Sequence, residues 1–188
     1  MPRPISHVIG IDDAPFLPGH RGDVMIVGAI YAATRLEGVV HGKIRRDGVN
    51  STTRIAAMIR QSRFAPQLQL ILLQGIAFGG FNVVDLPTLS RETELPVLVV
   101  MRKRPDLTAI REALLKKVPG GRRKWRLIEQ AGEVESMAGL YVQRCGISPD
   151  RAAEVLRRFA VSGRLPEPLR TAHLIAGGMS DLETRQRA

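Results

Sequence analysis

Two adjacent carboxylates, Asp12 and Asp13, follow an apolar run near the start of the chain and are the first residues whose types suggest chemistry. The run, residues 7–11, is typical of a buried strand, and a strand end is a rigid support for a metal ligand. Carboxylate oxygens are ligands that Mg²⁺ and Mn²⁺ prefer. An Asp-Asp pair after a strand is, by itself, more typical of a turn in which the side chains accept backbone hydrogen bonds.

A late polar segment, residues 165–173, ends at His173, whose imidazole is suited to acid or base chemistry near its reference pKa of about 6.5. We expect this late segment to meet the early acidic residues. Between them, Asp47 stands in an Arg-Asp-Gly sequence that favours a site acid and a tight turn about equally.

The chain is strongly basic, with 28 Lys and Arg against 18 Asp and Glu and a formal net charge of +10. This balance favours a polyanionic partner, and DNA or RNA is the partner predicted. The sequence around the only tryptophan fits that partner, because cations can grip a phosphate backbone while an aromatic ring stacks on an unpaired base. The residues concerned are Arg122, Arg123, Lys124 and Trp125. A solvated basic loop with the tryptophan anchored in the core is the alternative.

Other classes of protein are disfavoured. A single cysteine, Cys145, excludes an internal disulfide, and no Cys/His cluster has zinc-ligand spacing. Because no signal-like apolar core and no run of about 20 apolar residues is present, we expect a soluble, cytoplasmic protein without a membrane partner. The 188 residues, 44% of them hydrophobic, predict one domain over residues 1–188 with its last residues, 184–188, disordered.

The pattern of apolar runs predicts an α/β fold in which strands come first and helices enter later. Runs at residues 7–11, 23–33 and 38–44 predict an antiparallel meander, and those at 68–73 and 96–101 predict parallel strands joined by a crossover. The predicted helix caps are Ser51 or Thr52, Asp85, Asp106 and Ser148. A loop is predicted from residue 120 and a further strand at residues 126–134.

This order of elements, with carboxylates at the end of the first strand, resembles the ribonuclease H-like fold, a mixed sheet flanked by helices. Four motifs resemble the domain-of-unknown-function family ninety-nine across nearly the whole chain, at residues 10–16, 46–48, 74–85 and 166–173. That family is similar to endonuclease V, which cuts a phosphodiester near deaminated adenine (inosine) in DNA or RNA. Endonuclease V uses a divalent metal, usually magnesium, so the resemblance implies Mg²⁺ or Mn²⁺ here.

The resemblance implies roles for individual residues. Asp12 is similar to the metal-binding aspartate of the first strand, with Asp13 as its neighbour, and Asp47 occupies the region of the catalytic glutamate. Lys103, or Arg102 after a shift of one residue, resembles an active-site lysine. The implied metal ligands are therefore Asp12, Asp13 and Asp47.

Two positions depart from the nuclease pattern. Gln74 stands where an Asp-Gly pair begins, and His173 stands where a late acidic residue is expected. Arg170, in the same motif, is expected to orient a phosphate or to pair with Glu167. Because two-metal cleavage needs several anionic oxygens around cations about 4 Å apart, these changes predict a weakened site in which one metal is favoured over two.

Two alternatives to an enzyme remain open. The first is a protein that kept the fold and the basic surface, binds nucleic acid and no longer cuts it, which Gln74 and His173 favour. The second is an interaction module that binds no nucleic acid, for which a missing salt dependence of binding would be the sign.

Overall fold

The computed structural model describes residues 4–180, which form a mixed sheet with helices on both faces. The strands are β1 (His7–Asp13), β2 (Asp23–Ala32), β3 (Arg35–Arg45), β4 (Leu70–Gln74), β5 (Ala77–Phe78), β6 (Asn82–Val83), β7 (Val97–Met101), β8 (Glu135–Met137) and β9 (Leu140–Cys145). The helices are α1 (Ser51–Arg60), α2 (Leu86–Thr93), α3 (Leu107–Lys117), α4 (Gly121–Gln130), α5 (Pro149–Phe159) and α6 (Glu167–Gly178).

Seven strands form the main sheet in the order β3-β2-β1-β4-β7-β9-β8. The first three strands pair as an antiparallel meander, and β1, β4 and β7 run parallel to one another. β9 and β8 continue the sheet in antiparallel pairing. The predicted ribonuclease H-like mixed sheet, with its meander and its parallel crossover, is confirmed.

The central strands are apolar along their whole length because both of their faces are covered. One face packs in a cluster with α1 and α2 that includes Ile9, Ile11 and Ile71. The other face packs with α5 and α6 in a cluster that includes Val8 and Leu72. Burial of both faces makes the sheet a rigid platform, and its carboxyl edge presents the ends of β1, β4 and β7 side by side.

The predictions of a loop from residue 120 and of a strand at residues 126–134 are wrong, because α4 (Gly121–Gln130) occupies most of that segment. Gly120, with φ 69°, precedes the helix, and Gly121 lets α4 approach α3, since a Cβ atom at Gly121 would lie 1.9 Å from the backbone oxygen of Leu114. Its buried positions, Gly121, Lys124 and Ile128, have helical spacing. Because one position of this buried stripe is a lysine, the spacing of the hydrophobic residues did not indicate a helix.

Three of the predicted helix caps are confirmed. Asp85 accepts a hydrogen bond from the backbone N–H of Thr88, and Asp106 and Ser148 cap α3 and α5 in the same way. The predicted cap of α1 is wrong by one position, because Asn50 is the N-cap and Ser51 is the first helical residue. In the part of the chain that the structure describes, no helix is long and apolar enough to cross a membrane. The predicted disorder at residues 184–188 lies outside the described residues.

Candidate active site

Helix α6 lies directly over β1 because Gly10 leaves room for it. A Cβ atom at Gly10 would lie 2.3 Å from the backbone carbonyl carbon of Pro168, so a side chain there would push the helix away. Two residues along β1 from Gly10 advance the strand by about 7 Å. Five residues along α6 from Pro168 advance the helix by about 7.5 Å. The two elements therefore bring Asp12 and His173 to the same level.

Asp12 and His173 form a hydrogen-bonded pair. Nδ1 of His173 lies 2.7 Å from Oδ2 of Asp12, and Oδ1 of Asp12 accepts the backbone N–H of Asp13 at 2.9 Å. The pKa of Asp12 is raised to about 6, mainly by burial; the hydrogen bond with His173 lowers it, and the charge of Asp13 raises it. The early and late polar segments thus meet, as expected from the sequence.

The two members of this pair differ in exposure. The side chain of Asp12 is 7% exposed and that of His173 is 56% exposed. Among residues 4–180, Nε2 of His173 has no hydrogen-bond partner. A carboxylate that fixes Nδ1 of a histidine and leaves Nε2 facing solvent is suited to proton transfer at Nε2.

Gln74 ends β4 beside Asp12, since Ile11 of β1 pairs with Leu73 of β4. Its Oε1 atom is buried, and none of the described residues donates a hydrogen bond to it. A buried carbonyl oxygen left without a donor is destabilising, and such atoms in native proteins commonly face a ligand, a water or an ion. The oxygen of Gln74 is therefore an available acceptor at the sheet edge next to Asp12.

Asp13 and Asp47 hold one loop, residues 79–81, from two sides. Oδ2 of Asp13 accepts the backbone N–H of Gly79 at 2.6 Å, and burial raises the pKa of Asp13. The backbone N–H of Asp47 donates to the Gly79 oxygen at 2.8 Å, and Oδ1 of Asp47 accepts the N–H of Phe81 at 2.8 Å. Oδ2 of Asp47 lies 3.3 Å from Nε of Arg46. These contacts are the turn chemistry that the sequence offered as the alternative to metal binding.

Within residues 4–180, no three side chains of His, Cys, Asp or Glu come together as a group that could hold a metal ion. Asp12, Asp13 and Asp47 are thus not gathered into one cluster. The carboxylate of Asp12 and the unpartnered oxygen of Gln74 are hard donors at neighbouring strand ends, and Mg²⁺ is commonly held by one or two protein oxygens plus water. The donor set fits one divalent cation, with Asp13 as a neighbouring charge.

The predicted cations near the site have different surroundings. Lys103 is exposed in the loop that follows β7, whose Val100 pairs with Gln74. Arg170 lies on α6 one turn before His173 and is 43% exposed at its side chain. Its Nη1 atom lies 3.5 Å from Oε2 of Glu167, so Arg170 has the acidic neighbour that its motif suggested.

Lys124 was predicted to grip a phosphate backbone, and that prediction is wrong. The residue is 2% exposed, and its Nζ atom donates to the backbone oxygen of Asp47 at 2.5 Å. Burial lowers the pKa of Lys124, although the charge of Asp47 raises it. The link between α4 and the Asp47 turn could have been suspected only from the helical spacing of Lys124 with Gly121 and Ile128.

The other residues of the basic cluster keep their predicted character in part. Arg122 and Arg123 are exposed. Trp125 is half-buried in a small apolar cluster, its Nε1 donates to Oε1 of Glu129 at 2.7 Å, and the guanidinium of Arg111 lies 6.0 Å from its ring centre. Stacking of Trp125 on a base stays a prediction, with its ring already in contact with α3.

An apolar cavity of about 230 Å³ opens immediately after Gln74. Gly75 and Ile76 form one side, Phe81 and Ile110 form another, and Gln143 adds a polar group. The nitrogen of Gln143 already donates to the backbone oxygen of Gly132 at 2.9 Å. The cavity can take a small, mainly apolar group.

Comparison with known proteins identifies close relatives. The sequence model of a family described as endonuclease dU matches residues 4–180 of the chain. A UPF0215 protein of Deinococcus radiodurans is 58% identical over 176 residues, which cover 94% of this chain and 90% of that protein. The crystal structure of a protein of unknown function from Archaeoglobus fulgidus superimposes with a TM-score of 0.87 at 32% identity, covering 94% of this chain and 99% of the other.

A more distant likeness concerns the fold. Endonuclease V of Ciona intestinalis, crystallised with a 24mer DNA containing an inosine followed by a ribo-adenosine, superimposes with a TM-score of 0.57 at 13% identity. The match covers 98% of this chain and 88% of the other. At this identity, the comparison shows that the two proteins share the architecture of the sheet and its flanking helices.

Proposed function

This chain belongs to the endonuclease dU family, and we propose that it is an endonuclease that cleaves a phosphodiester bond of nucleic acid close to a deaminated base. The family name suggests deoxyuridine, the nucleoside whose base is uracil, or deaminated cytosine. The endonuclease V of Ciona intestinalis was crystallised with DNA containing an inosine, whose base is deaminated adenine. We take deoxyuridine and inosine as the two substrates to test first.

The contact between Asp12 and His173 carries the proposal. It joins a buried carboxylate at a strand end to an exposed imidazole on α6, 161 residues later in the chain. Phosphodiester hydrolysis needs a group that takes a proton from water and a group that stabilises negative charge on the phosphate. His173, beside Asp12, is the candidate for the group that takes the proton. Lys103 and Arg170 are the candidates for the group that stabilises negative charge.

Above the pKa of Asp12, its carboxylate accepts the Nδ1 proton of His173 and so holds the imidazole in the tautomer with a free Nε2 lone pair. Nε2 then accepts a proton from the water that attacks phosphorus. The P–O bond to the leaving nucleotide oxygen breaks, and that oxygen takes up a proton from solvent or from the His173 imidazolium. A divalent cation held by Asp12 and Gln74 would supply Lewis acidity to the phosphate and lower the pKa of a bound water. Lys103 and Arg170 neutralise charge on the phosphate oxygens.

The apolar cavity after Gln74 supports action near a particular base. Enzymes that act on damaged bases commonly rotate the base out of the stack into a pocket lined by apolar groups. The cavity of about 230 Å³, lined by Gly75 and Ile110 among others, begins directly after Gln74 in the chain and offers such a pocket.

A non-catalytic nucleic-acid-binding protein is the second candidate. The observation that favours it is that, over the described residues, no group of three His, Cys, Asp or Glu side chains could hold a metal ion. Such a protein would bind strands in the same way without cutting them. Binding and cutting must therefore be measured separately.

The test incubates the purified protein with labelled single and double strands that carry one deoxyuridine, one inosine or no lesion. Reactions contain Mg²⁺, Mn²⁺ or a chelator, and products are resolved on a denaturing gel. We expect cutting near a lesion, dependent on the cation and lost in Asp12→Asn. The matched control is Asp150→Asn, which removes an exposed carboxylate from α5.

The outcomes separate the two candidates. Cutting by the wild type and by Asp150→Asn, but not by Asp12→Asn, supports the endonuclease. Strand binding by the wild type without cutting under any condition overturns it in favour of the binding protein. Equal cutting by all three proteins would assign the activity to a contaminating nuclease and also overturn the proposal.

A further inference from the structure

The positive charge of the protein is concentrated in one helical hairpin. Residues 102–130, which contain α3 and α4, hold ten of the 28 Lys and Arg residues and three of the 18 Asp and Glu residues. The formal net charge of this segment is +7, out of +10 for the whole chain. We call residues 102–130 the basic arm.

Most of this charge faces solvent without neutralisation. Every cation of the basic arm except Lys124 is exposed. Of the three acidic residues, Asp106 caps α3, Glu129 accepts the Trp125 N–H, and only Glu112 pairs with a cation, Lys116, at 3.3 Å. Eight exposed cations of the arm have no ion pair within the described residues. Because like charges repel, such a cluster favours a polyanionic partner.

The arm is held rigidly on the protein body. Gly121 brings α4 against α3, and Leu114 and Ile128 pack with Val83 of β6 in an apolar cluster. The guanidinium of Arg111 lies 6.0 Å from the ring centre of Trp125, which joins the two helices again at the surface. A rigid cationic surface loses little conformational entropy when it binds an extended anion.

The arm starts next to the candidate active site and also contacts the Asp47 turn. The arm begins at Arg102, directly after β7, the strand that pairs with the end of β4. In α4, buried Lys124 donates to the backbone oxygen of Asp47, and exposed Arg123 lines a depression of about 230 Å³ together with Gly48. A strand that passes over the carboxyl edge of the sheet therefore runs onto the arm.

We propose that the basic arm binds the phosphate backbone of nucleic acid flanking the cleaved bond and supplies affinity that does not depend on the lesion. The proposal rests on the function proposed above. Six of the nine exposed cations of the arm are arginines, whose guanidinium groups bind phosphate oxygens in bidentate fashion. Base recognition belongs to the cavity after Gln74, and the arm contributes position and affinity.

The test compares two triple variants with the same change of charge. The arm variant is Arg122→Gln, Arg123→Gln and Arg126→Gln, all exposed on α4. The control variant is Arg157→Gln, Arg158→Gln and Arg164→Gln. All three are exposed on α5 or on the loop after it, and the buried face of α5 packs in the apolar cluster that includes Val8 and Leu72. Fluorescence anisotropy gives the Kd of each protein for a lesion-free duplex over a range of salt concentrations.

We expect the arm variant to bind at least about tenfold more weakly at low salt, with a slope of log K against log salt that is shallower by about 2 to 3, since each phosphate contact contributes about 0.9. The control variant should keep the slope of the wild type. Equal losses in both variants would show that net charge alone matters and would overturn the proposal, as would an arm variant that binds like the wild type. Circular dichroism checks that the variants are folded.

The binding experiment tests the arm proposal separately from the cleavage assay, because a lesion-free duplex reports binding without cutting. A wild type that binds through the arm but never cuts would leave the arm intact and overturn the endonuclease. If the wild type cuts and the arm variant binds normally, the endonuclease proposal stands and the arm proposal is overturned. Anionic phospholipid vesicles test the other polyanion, and arm-dependent binding to vesicles that exceeds binding to duplex would overturn the proposal in favour of a membrane surface.

Discussion

Asp12 and Asp47 are both carboxylates near the carboxyl edge of the sheet, but the protein uses their oxygens differently. Asp12 is buried, and one of its oxygens meets the exposed imidazole of His173. Asp47 is more exposed, has φ 51°, and its oxygens meet the Phe81 N–H and the Arg46 guanidinium. Asp12 thus contacts a group that can exchange protons with solvent, and Asp47 contacts groups that fix a turn.

This difference shows that an acidic residue at the expected place in a motif does not define a site by itself. The Asp47 turn is supported from three sides, by Phe81, by Gly79 and by the buried Lys124. Removing the charge of Asp47 should therefore destabilise the protein less than removing its side-chain hydrogen-bond acceptor. Removal of the charge of Asp12 should affect the chemistry directly.

The largest expected effect contrasts Asp12→Asn with Asp47→Asn. Asp12→Asn removes the carboxylate that holds His173 and that, in our proposal, would hold a cation, so we expect the cleavage rate to fall at least about 100-fold. Asparagine tolerates a positive φ and still accepts the Phe81 N–H, so Asp47→Asn should keep the rate within about threefold. Single-turnover cleavage measures both. A loss in Asp47→Asn as large as that in Asp12→Asn would restore Asp47 as a metal ligand.

The second prediction concerns His173 alone. His173→Gln keeps a polar side chain on α6 but removes the proton acceptor, so kcat should fall about 100-fold. The Kd for an uncut strand should change little, because binding depends on other cations. Cleavage kinetics measure kcat, and fluorescence anisotropy on the same protein measures the Kd for the uncut strand. An increase of Kd that accounts for the whole loss of activity would make His173 a binding residue instead.

The third prediction follows from the pKa of Asp12, which burial raises from 3.8 to about 6. A raised pKa means that the folded protein binds the proton more tightly than the unfolded chain does. The contribution of Asp12 to stability is therefore fully present below pH 4 and is lost as pH rises through 6. Because one pKa unit corresponds to about 1.4 kcal/mol, the loss is on the order of 2 to 3 kcal/mol.

Chemical unfolding at a series of pH values tests this dependence. Asp12→Asn cannot ionise, so its stability relative to the wild type should increase between pH 4 and pH 7, although Asp13 still titrates in both proteins. The control, Asp150→Asn, should show no such increase. A constant difference between Asp12→Asn and the wild type would mean that Asp12 is not held in an environment that disfavours its charge.

Sequence patterns predicted the sheet because its signals are local. Residues 70–73 and 97–100 are uniformly apolar and buried, so their runs indicate central strands directly. The caps Asp85 and Asp106 lie three residues before the backbone N–H groups that they accept. Such signals span a few residues and need no knowledge of the rest of the fold.

The site was less accessible from the sequence because its contacts are long-range. Residue types and the resemblance pointed to Asp12 and His173, but the contact itself depends on Gly10, which lets α6 approach β1. Helix α4 was missed because a buried lysine, Lys124, occupies its apolar stripe. The partner that makes this burial tolerable is the backbone oxygen of Asp47, 77 residues away.

A smaller effect is expected when the shape of the Asp47 turn is changed. Asp47→Ala removes the acceptor of the Phe81 N–H and places a residue without a side-chain acceptor at φ 51°, so it should destabilise the protein by about 1 to 2 kcal/mol. Asp47→Asn keeps both features and should lose less than about 0.5 kcal/mol. Denaturant unfolding compares the two variants. Equal losses would show that charge, rather than shape, holds the turn.

The smallest expected effect is that of Lys124→Met. Methionine fills a similar volume and removes a desolvated charge, but it leaves the Asp47 oxygen without its donor, so these changes oppose each other. We expect the free energy of unfolding to change by less than about 1 kcal/mol and the salt dependence of duplex binding to stay unchanged. Arg123→Met, at the neighbouring exposed position, should reduce the salt slope by about 0.9. A reduced slope in Lys124→Met would mean that Lys124 leaves Asp47 to bind phosphate, and the turn and the arm would then act as one surface.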